Sequence, residues 1–428
     1  MENIERNTYL QKIINYMWDG QVKVITGIRR CGKSVLLFEL FFDYLLKNGV
    51  SEKNIIRLEL DKRKDIRFRN PIVLLNYVYE KIANSNEKYY LFIDEVQFSY
   101  TVEDLDNNGY KVNIYDMLNE LKDVKNLDVY VTGSNSSMLS KDISTQFRGR
   151  ASQIHVYPFT FKELYENQNI DKKEAFREYM LYGGMPYIRH LKDDELKREY
   201  LQNLFSEVYI KDIVERYHIK REDVLEQLLD YLSSSISSLT NPTNIANTMN
   251  SMHKNKKENK VDNQLIREYI NYLKDAFLIQ EAKRYDVKGK SYFNYPNKYY
   301  YCDIGLRNVR LNYRQMDQGH MMENIIYNDL IARGYMVDVG MVIEKTASTT
   351  KQKKVDFIVN KGNQRVYIQS AYEMIDANKI EAEIKSLRLL KDEFKKIIVQ
   401  NDVLIPYYDE YGIYHISVID FLLEENLF

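Results

Sequence analysis

Cysteine is nearly absent from this 428-residue chain: Cys31 and Cys302 are the whole complement, and six histidines are scattered along it. Two thiols cannot staple a disulfide scaffold, and the histidines lack metal-ligand spacing. That excludes a Cys/His zinc site and fits a reducing compartment. An excess of one charge is also lacking. Lys and Arg number 61 against 62 Asp and Glu, a net charge of -1, so any nucleic-acid site has to be a local patch. Long apolar runs are missing too. The most apolar stretch, VLLFELFFDYLL, has 12 residues and contains Glu39 and Asp43. A bilayer-spanning helix needs about 20 apolar residues, so this one reads as a core helix. The N-terminal MENIERNTYLQKIINYMWDG is amphipathic and charged, unlike an export signal with its basic start and apolar core. These absences predict a cytoplasmic protein that makes no membrane contact. What is present, 44% hydrophobic and 29% charged residues, suffices to bury real cores. The length allows two or three domains of about 100–200 residues each.

From the front, Val22, Val24 and Ile25 form a short β-branched segment that leads into the glycine-bounded loop GIRRCGKS. VLLFELFFDYLL follows with helical length. NIIRLEL reads as a second strand and PIVLLNYVYEKIAN as a helix opened by Pro71. KYYLFIDEVQ is a strand, IYDMLNELKDV a helix, and LDVYVTGSNS a strand ending in a polar turn. This alternation over the first ~150 residues predicts a parallel sheet covered by helices on both faces. Past Pro158 the pattern turns to helices punctuated by Gly183, Gly184 and Pro186. The polar stretch 233–260 still carries an apolar spacing that suits a short helix capped at Asn241 or Thr243. With the helix DNQLIREYINYLKDA and the strands FLIQEAKRYD and KYYYCDIG it outlines a winged helix. The last ~110 residues read as another α/β unit, with the hairpin KKVDFIVN–KGN–QRVYIQSAY at its centre.

Gly27-Ile28-Arg29-Arg30-Cys31-Gly32-Lys33-Ser34 matches the phosphate-loop pattern G-x-x-x-x-G-K-[ST]. Its glycines let backbone N–H groups curl around phosphates, and the helix N-terminus adds a positive dipole end. Lys33 would reach the β- and γ-phosphates and Ser34 would coordinate Mg²⁺. The expected ATP-binding segment runs from Gly27 through Val35. Asp94, at the end of the apolar strand YYLFI, suits the Mg²⁺ shell, and Glu95 beside it suits a general base for the attacking water. At the end of the next strand a polar side chain can sense the γ-phosphate; Asn135 is the first choice and Ser134 the second. Arg148 and Arg150 could stabilise transition-state charge in cis or across a subunit interface.

With these residues in place, the chain resembles bacterial and archaeal AAA-type ATPases that carry a C-terminal restriction-endonuclease-like domain. The resemblance spans almost the whole chain. Its marks are GIRRCGKS, LFIDEVQ, VTGSNS, the RGR before YPFTFKEL, YGGMP, YIKDIVERY, KYYYCDIGLRN and VDFIVN. It implies ATP and Mg²⁺ as ligands, and the usual ATPase roles for Lys33, Ser34, Asp94, Glu95, Asn135 and Arg150. It supplies no substrate. The fold class is then α/β: a P-loop ATPase core over 1–155, a helical lid over 156–220, a winged-helix-like domain over 221–310 and an endonuclease-like domain over 311–428.

An active endonuclease-like core holds metal with a helix Glu, a hairpin Asp and an acidic-x-Lys strand. Here Glu323, Asp356 and Gln369 take the first three places, but Ala371 stands where lysine belongs. Loss of the group that orients water favours a non-cleaving fold; Lys351, Lys353 and Lys354 are nearby cations that could swing in. Residues 251–300 carry 11 Lys and Arg against 6 Asp and Glu, a local +5. That patch suits duplex DNA, with Arg267 and Lys274 on the second helix and Lys283, Arg284, Lys288 and Lys290 on the wing. The tyrosine clusters Tyr299–Tyr301 and Tyr407–Tyr408 read as strand and core residues. Cys31 reads as a spectator unless its thiol is exposed, and His155 and His218 read as structural. The expected function is an ATP-hydrolysing protein whose nucleotide state controls its C-terminal modules, with duplex DNA as one candidate partner through residues 251–300. The alternatives are a switch for a protein partner and an ATP-gated nuclease.

Overall fold

A computed structural model describes residues 4–83, 87–104, 109–134, 151–252, 260–287, 289, 291–345, 350–374, 377–424 and 426. The chain forms two compact units. One runs to Tyr157 and includes Asp275–Phe277; the other comprises Pro158–Lys274 and Leu278–Phe428. Among the described residues no helix is long and apolar enough to cross a membrane.

The first unit contains helix α1 (Asn7–Asn15), strand β1 (Val22–Thr26), helix α2 over 33–47, β2 (Ile55–Glu59), α3 (Pro71–Ile82) and β3 (Tyr89–Asp94). A small hairpin, β4 (Val102–Asp104) and β5 (Tyr110–Val112), precedes α4 (Ile114–Leu121), β6 (Leu127–Gly133) and β7 (Ala151–His155). The five long strands form a parallel sheet in the order β2-β3-β6-β1-β7. Every residue of β1, β3 and β6 is buried. This is why these strands read as continuous apolar runs rather than alternating ones. One face packs Val22, Val24, Leu91, Ile93, Val129 and Val131 against Leu74 and Val78 of α3 and Met117, Leu118 and Leu121 of α4. Local chemistry sets the helix starts. The Asn70 side chain accepts from the amides of Ile72 and Val73, with Pro71 in the first turn. Asn113 and Asp116 form a reciprocal capping box. Helix α2 widens to a π-helical turn at Leu36–Phe41, a local irregularity that propensity cannot foretell.

The second unit begins with α5 (Phe161–Tyr165) and α6 (Lys172–Tyr182). The long helix α7 over 194–217 follows, with a π-helical turn at Leu204–Ile210, then α8 (Glu222–Ser234). Next come β8 (Leu239–Thr240), α9 (Pro242–Met252), α10 (Asn263–Asp275), β9 (Ile279–Asp286) and β10 (Ser291–Tyr301). Asn241 accepts from the Asn244 amide at 2.7 Å, which starts α9 where the sequence placed a cap. Then α11 (Ile304–Arg310), α12 (Gln318–Ala332), β11 (Met336–Lys345), β12 (Thr350–Lys361), β13 (Gln364–Ala371), α13 (Ala377–Arg388), β14 (Lys395–Gln400), β15 (Tyr407–Tyr408), β16 (Tyr414–Ser417) and α14 (Val418–Leu423) complete the unit.

Among the described residues, the nine strands of this unit join one sheet, in the order β15-β16-β14-β13-β12-β11-β9-β10-β8. The β9–β10 pair is therefore no free wing. Its β9 edge lies parallel to β11, with Val339 opposite Arg284 and Met341 opposite Asp286, so one sheet joins strands from both sides of the domain boundary expected at residue 310. Two quoted motifs meet here. Asp303 of KYYYCDIG accepts from the amides of Gly184 at 2.6 Å and Gly305 at 2.9 Å. A Cβ on Gly183 would lie 2.1 Å from the Asp303 carboxylate, and one on Gly184 would lie 2.0 Å from the Phe159 carbonyl oxygen. Close approach thus accounts for the Gly-Gly of YGGMP. Burial raises the Asp303 pKa to about 6 despite these N–H donors. Tyr299, Tyr300 and Tyr301 are buried, as expected of core tyrosines. Tyr407 and Tyr408 are instead 50% and 62% exposed, because a two-residue strand at the sheet edge has a neighbour on one side alone.

His155, at the end of β7, shares a 2.8 Å hydrogen bond between its Nδ1 and Thr26 Oγ1, immediately before the glycine loop. Desolvation, helped by the Lys33 and Lys12 charges, lowers its pKa from 6.5 to about 3. The unfolded chain therefore takes up a proton below pH 6.5 that the folded chain refuses, and stability falls as the pH drops. His155→Gln should reduce the loss of unfolding free energy between pH 7 and pH 5 by about 1–2 kcal/mol; urea titrations at both values measure it.

Candidate functional site

Because β6 lies between β1 and β3, the carboxyl ends of these three parallel strands converge on one edge, the edge where ligands bind in open α/β sheets. The loop after β1 needs glycine at both ends. Gly27 has φ +146°, and a Cβ there would lie 2.2 Å from the Val156 carbonyl oxygen. Gly32, at φ +98°, stands at the start of α2. Lys33 is buried, and its ammonium donates to the carbonyls of Gly27 and Ile28 at 3.1 Å each. Arg6, also buried, donates to the Cys31 carbonyl at 3.1 Å. In a planar trans peptide the N–H points opposite to the C=O, so this bond turns the Gly32 N–H away from Arg6. Cys31 is fully buried, and desolvation raises its thiol pKa. A redox role for that thiol has no support in its environment.

At the end of β3, Asp94 is 5% exposed. Its Oδ2 accepts from Ser34 Oγ at 2.8 Å, and its Oδ1 accepts from Thr132 Oγ1. Burial raises its pKa, and the Glu95 charge adds to the effect. Thr132 Oγ1 also accepts from the Glu95 amide at 3.0 Å. Glu95 adopts left-handed backbone, φ +53°, a conformation that costs a non-glycine residue of order 1 kcal/mol and is held by its surroundings. Its carboxylate accepts from Gln97 Nε2, and Ser134 Oγ lies 3.4 Å from the same oxygen. Lys33, Ser34, Asp94, Glu95 and Ser134 thus gather at one edge. Asn135, Arg148 and Arg150 lie outside the described residues. Sequence reasoning assigned no role to Arg6, Thr132 or Gln97; of these, Gln97 and Thr132 carried a signal, as parts of LFIDEVQ and VTGSNS. It also missed Glu59 and Asp61, whose oxygens lie within 4.8 Å of an Asp94 oxygen. Pairing of Glu59 with Asp94 across β2 and β3 brings them there.

Among known families, residues 19–165 match an AAA domain and residues 173–317 a domain of unknown function. An uncharacterized protein of Haemophilus influenzae is 33% identical over 429 residues, covering 98% of this chain and 99% of its own. An uncharacterized protein of Methanocaldococcus jannaschii is 27% identical over 418 residues, covering 94% of this chain and 85% of its own. The solved Walker-type ATPase of Pyrococcus abyssi aligns at 16% identity with a TM-score of 0.49, over 72% of this chain and 96% of that one. The matched AAA domain and the parallel sheet with its glycine loop define an AAA-type P-loop ATPase fold. Within that class, the chain belongs to the family of the Haemophilus influenzae protein.

A second cluster of ionisable groups lies in the other unit. Glu323 of α12 and Asp356 of β12 are buried, and Lys298 of β10 is buried between them. Its ammonium pairs with Glu323 Oε1 and, at 3.0 Å, with Asp356 Oδ1. Lys354 reaches the same Asp356 oxygen at 2.9 Å, and Tyr300 OH donates to Glu323 at 2.8 Å. Burial would raise the Asp356 pKa, but the two ammoniums hold it well below the usual carboxylate range. Glu323 is shifted upward by burial and by Asp356. Gln369 accepts from the Asp356 amide at 3.1 Å and donates to Glu383 at 2.5 Å. Ala371 is packed in the core with Val355 and Leu387.

The lysine absent at 371 is therefore offset from elsewhere, by a strand the sequence assigned to a different module. The expected DNA patch changes accordingly. Lys298 is internal, and Arg284 is buried, donating to Gln352 at 2.6 Å. Lys274 is ion-paired with Glu281 at 2.6 Å. Lys283 is exposed, while Lys288 and Lys290 lie outside the described residues. Lys298→Met should cost about 3–5 kcal/mol of stability in urea unfolding, because it leaves two buried carboxylates without their shared cation. Adding Glu323→Gln should recover part of that loss.

Proposed function

We propose that the chain binds ATP on the 27–35 segment and hydrolyses it with Glu95 as general base. The observation that carries this reading is the 2.8 Å contact of the Ser34 hydroxyl with Asp94, which brings loop and strand end into one oxygen-rich site beside Lys33. Backbone N–H groups of the loop and the Lys33 ammonium would hold the phosphates. The hydroxyl–carboxylate pair of half-buried Ser34 and buried Asp94 fits Mg²⁺, which favours hard oxygen donors, and a cation would relieve the burial of Asp94. Mg²⁺ would supply neutralisation of phosphate charge at Ser34 and Asp94. Glu95, one residue beyond, takes the proton of the attacking water. Asn135 or Ser134 would sense the γ-phosphate, and Arg148 or Arg150 would face the transition-state charge.

In this reading, nucleotide state biases the helical segment over 156–220 and the sheet-containing remainder of the second unit, and the partner they serve is a protein. Duplex DNA is disfavoured because Arg284 and Lys298 are spent inside the fold. Nuclease activity is disfavoured because Lys298 and Lys354 already pair with Glu323 and Asp356.

Lys33→Ala should abolish ATP binding measured by calorimetry; tight binding by this variant would overturn the site. Glu95→Gln should bind ATP normally and hydrolyse it about 10²-fold more slowly or worse. Wild-type turnover should be unchanged by duplex DNA at low and at physiological salt, and salt-sensitive stimulation would restore the DNA reading.

A further inference from the structure

Gln97 is not among the residues assigned above, yet its carboxamide lies at the centre of the site. Nε2 donates to the Glu95 carboxylate and lies 3.2 Å from Ser134 Oγ. The other end, Oε1, is buried and has no hydrogen-bond partner among the described residues. Turning the amide over would set Oε1 against the Glu95 carboxylate, acceptor against acceptor, so the orientation is fixed by its neighbours. A buried amide oxygen without a donor costs free energy of order 1–3 kcal/mol. Such an atom beside a general base is suited to a donor that arrives with the reaction.

We propose that Gln97 is the positioning residue for the attacking water: Nε2 fixes the Glu95 carboxylate while Oε1 accepts a hydrogen bond from the water whose proton Glu95 removes. This rests on the reading of Glu95 as general base. The geometry explains why one amide serves both ends. A carboxylate on left-handed backbone at the mouth of a strand needs a brace, and the 3₁₀ turn Val96–Phe98 brings Gln97 back beside it. The water is then held by two acceptors, Glu95 and Gln97. It can donate one hydrogen to each and direct a lone pair outward to phosphorus. In the hydrolytic step the water oxygen bonds to the γ-phosphorus, the bond from phosphorus to the β,γ-bridging oxygen breaks, ADP leaves, and the proton passes to Glu95.

The test is single-turnover hydrolysis with the 428-residue chain in excess over ATP and with Mg²⁺ saturating, which reads rates far below steady state, together with ATP affinity by calorimetry. Gln97→Met keeps the side-chain volume without either polar end, and Gln97→Glu keeps the shape but replaces the donor with a repelling carboxylate. Both should hydrolyse about 10²-fold more slowly than wild type while binding ATP within threefold of it. In a Glu95→Gln background, Gln97→Met should cause less than a threefold further loss, since the brace has nothing left to hold. Rates of the single variants within twofold of wild type would overturn the assignment. So would a double variant in which the two losses multiply, or an equal loss in affinity and rate. Normal hydrolysis by Glu95→Gln alone would instead overturn the general base. Absence of hydrolysis in the wild type would overturn the ATPase reading and this one with it.

Discussion

Three neighbouring parallel strands end on the same edge of a sheet, and the arrangement of the candidate site follows from the middle one. With β6 inserted between β1 and β3, the glycine loop, Asp94 and the Thr132–Ser134 turn come within hydrogen-bond reach of one another. Were β1 and β3 direct neighbours, Thr132 would be elsewhere, and Asp94 would lack one of the two hydroxyls that satisfy it. A buried carboxylate with a raised pKa is tolerable because those two hydroxyls donate to it. The same pair fixes the position of both carboxylate oxygens.

The second unit solves a similar problem with a different device. Two carboxylates inside an apolar layer would repel each other, and each would carry its own desolvation penalty. Lys298 enters from β10, immediately after an irregularity in the β9–β10 register, and Lys354 approaches Asp356 from the same strand two residues upstream. Tyr300, Gln369 and the Ser370 amide complete the shell. The first unit is arranged to take charge from outside. The second is close to balanced within itself.

What could be read in the residues follows a physical line. The phosphate loop, the Asp-Glu strand end, Pro71 at a helix start and the Asn241 cap are local: their chemistry is complete within a few neighbours, and periodicity or spacing exposes it. Gln97, Thr132 and Arg6 act through contacts that exist only once strands are ordered, so Thr132 read as one residue of the polar strand end VTGSNS, without a role of its own, and Arg6 as one charge on an amphipathic segment. The clearest misreading concerns charge. Counting lysines and arginines over 251–300 treats each as solvent-facing, yet Arg284 and Lys298 are among the buried residues. No count separates a cation that neutralises an internal carboxylate from one that meets a phosphate. The wing misled for a related reason, since two strands joined by a turn look the same whether their outer edge meets water or another strand.

The continuous nine-stranded sheet limits how the chain can be taken apart. A fragment ending near residue 310 would expose the β9 edge that β11 now covers, offering unsatisfied amides and carbonyls to any other strand in solution. It would also keep Lys298 in an apolar setting after both of its carboxylates had been removed. The complementary fragment would hold Glu323 and Asp356 without that lysine. Neither half is a self-sufficient module, so during synthesis on the ribosome the segment around β10 has to wait for strands made later before its charge is neutralised and its edge closed. A boundary that looks natural in the order of residues is, for this fold, the middle of a single piece.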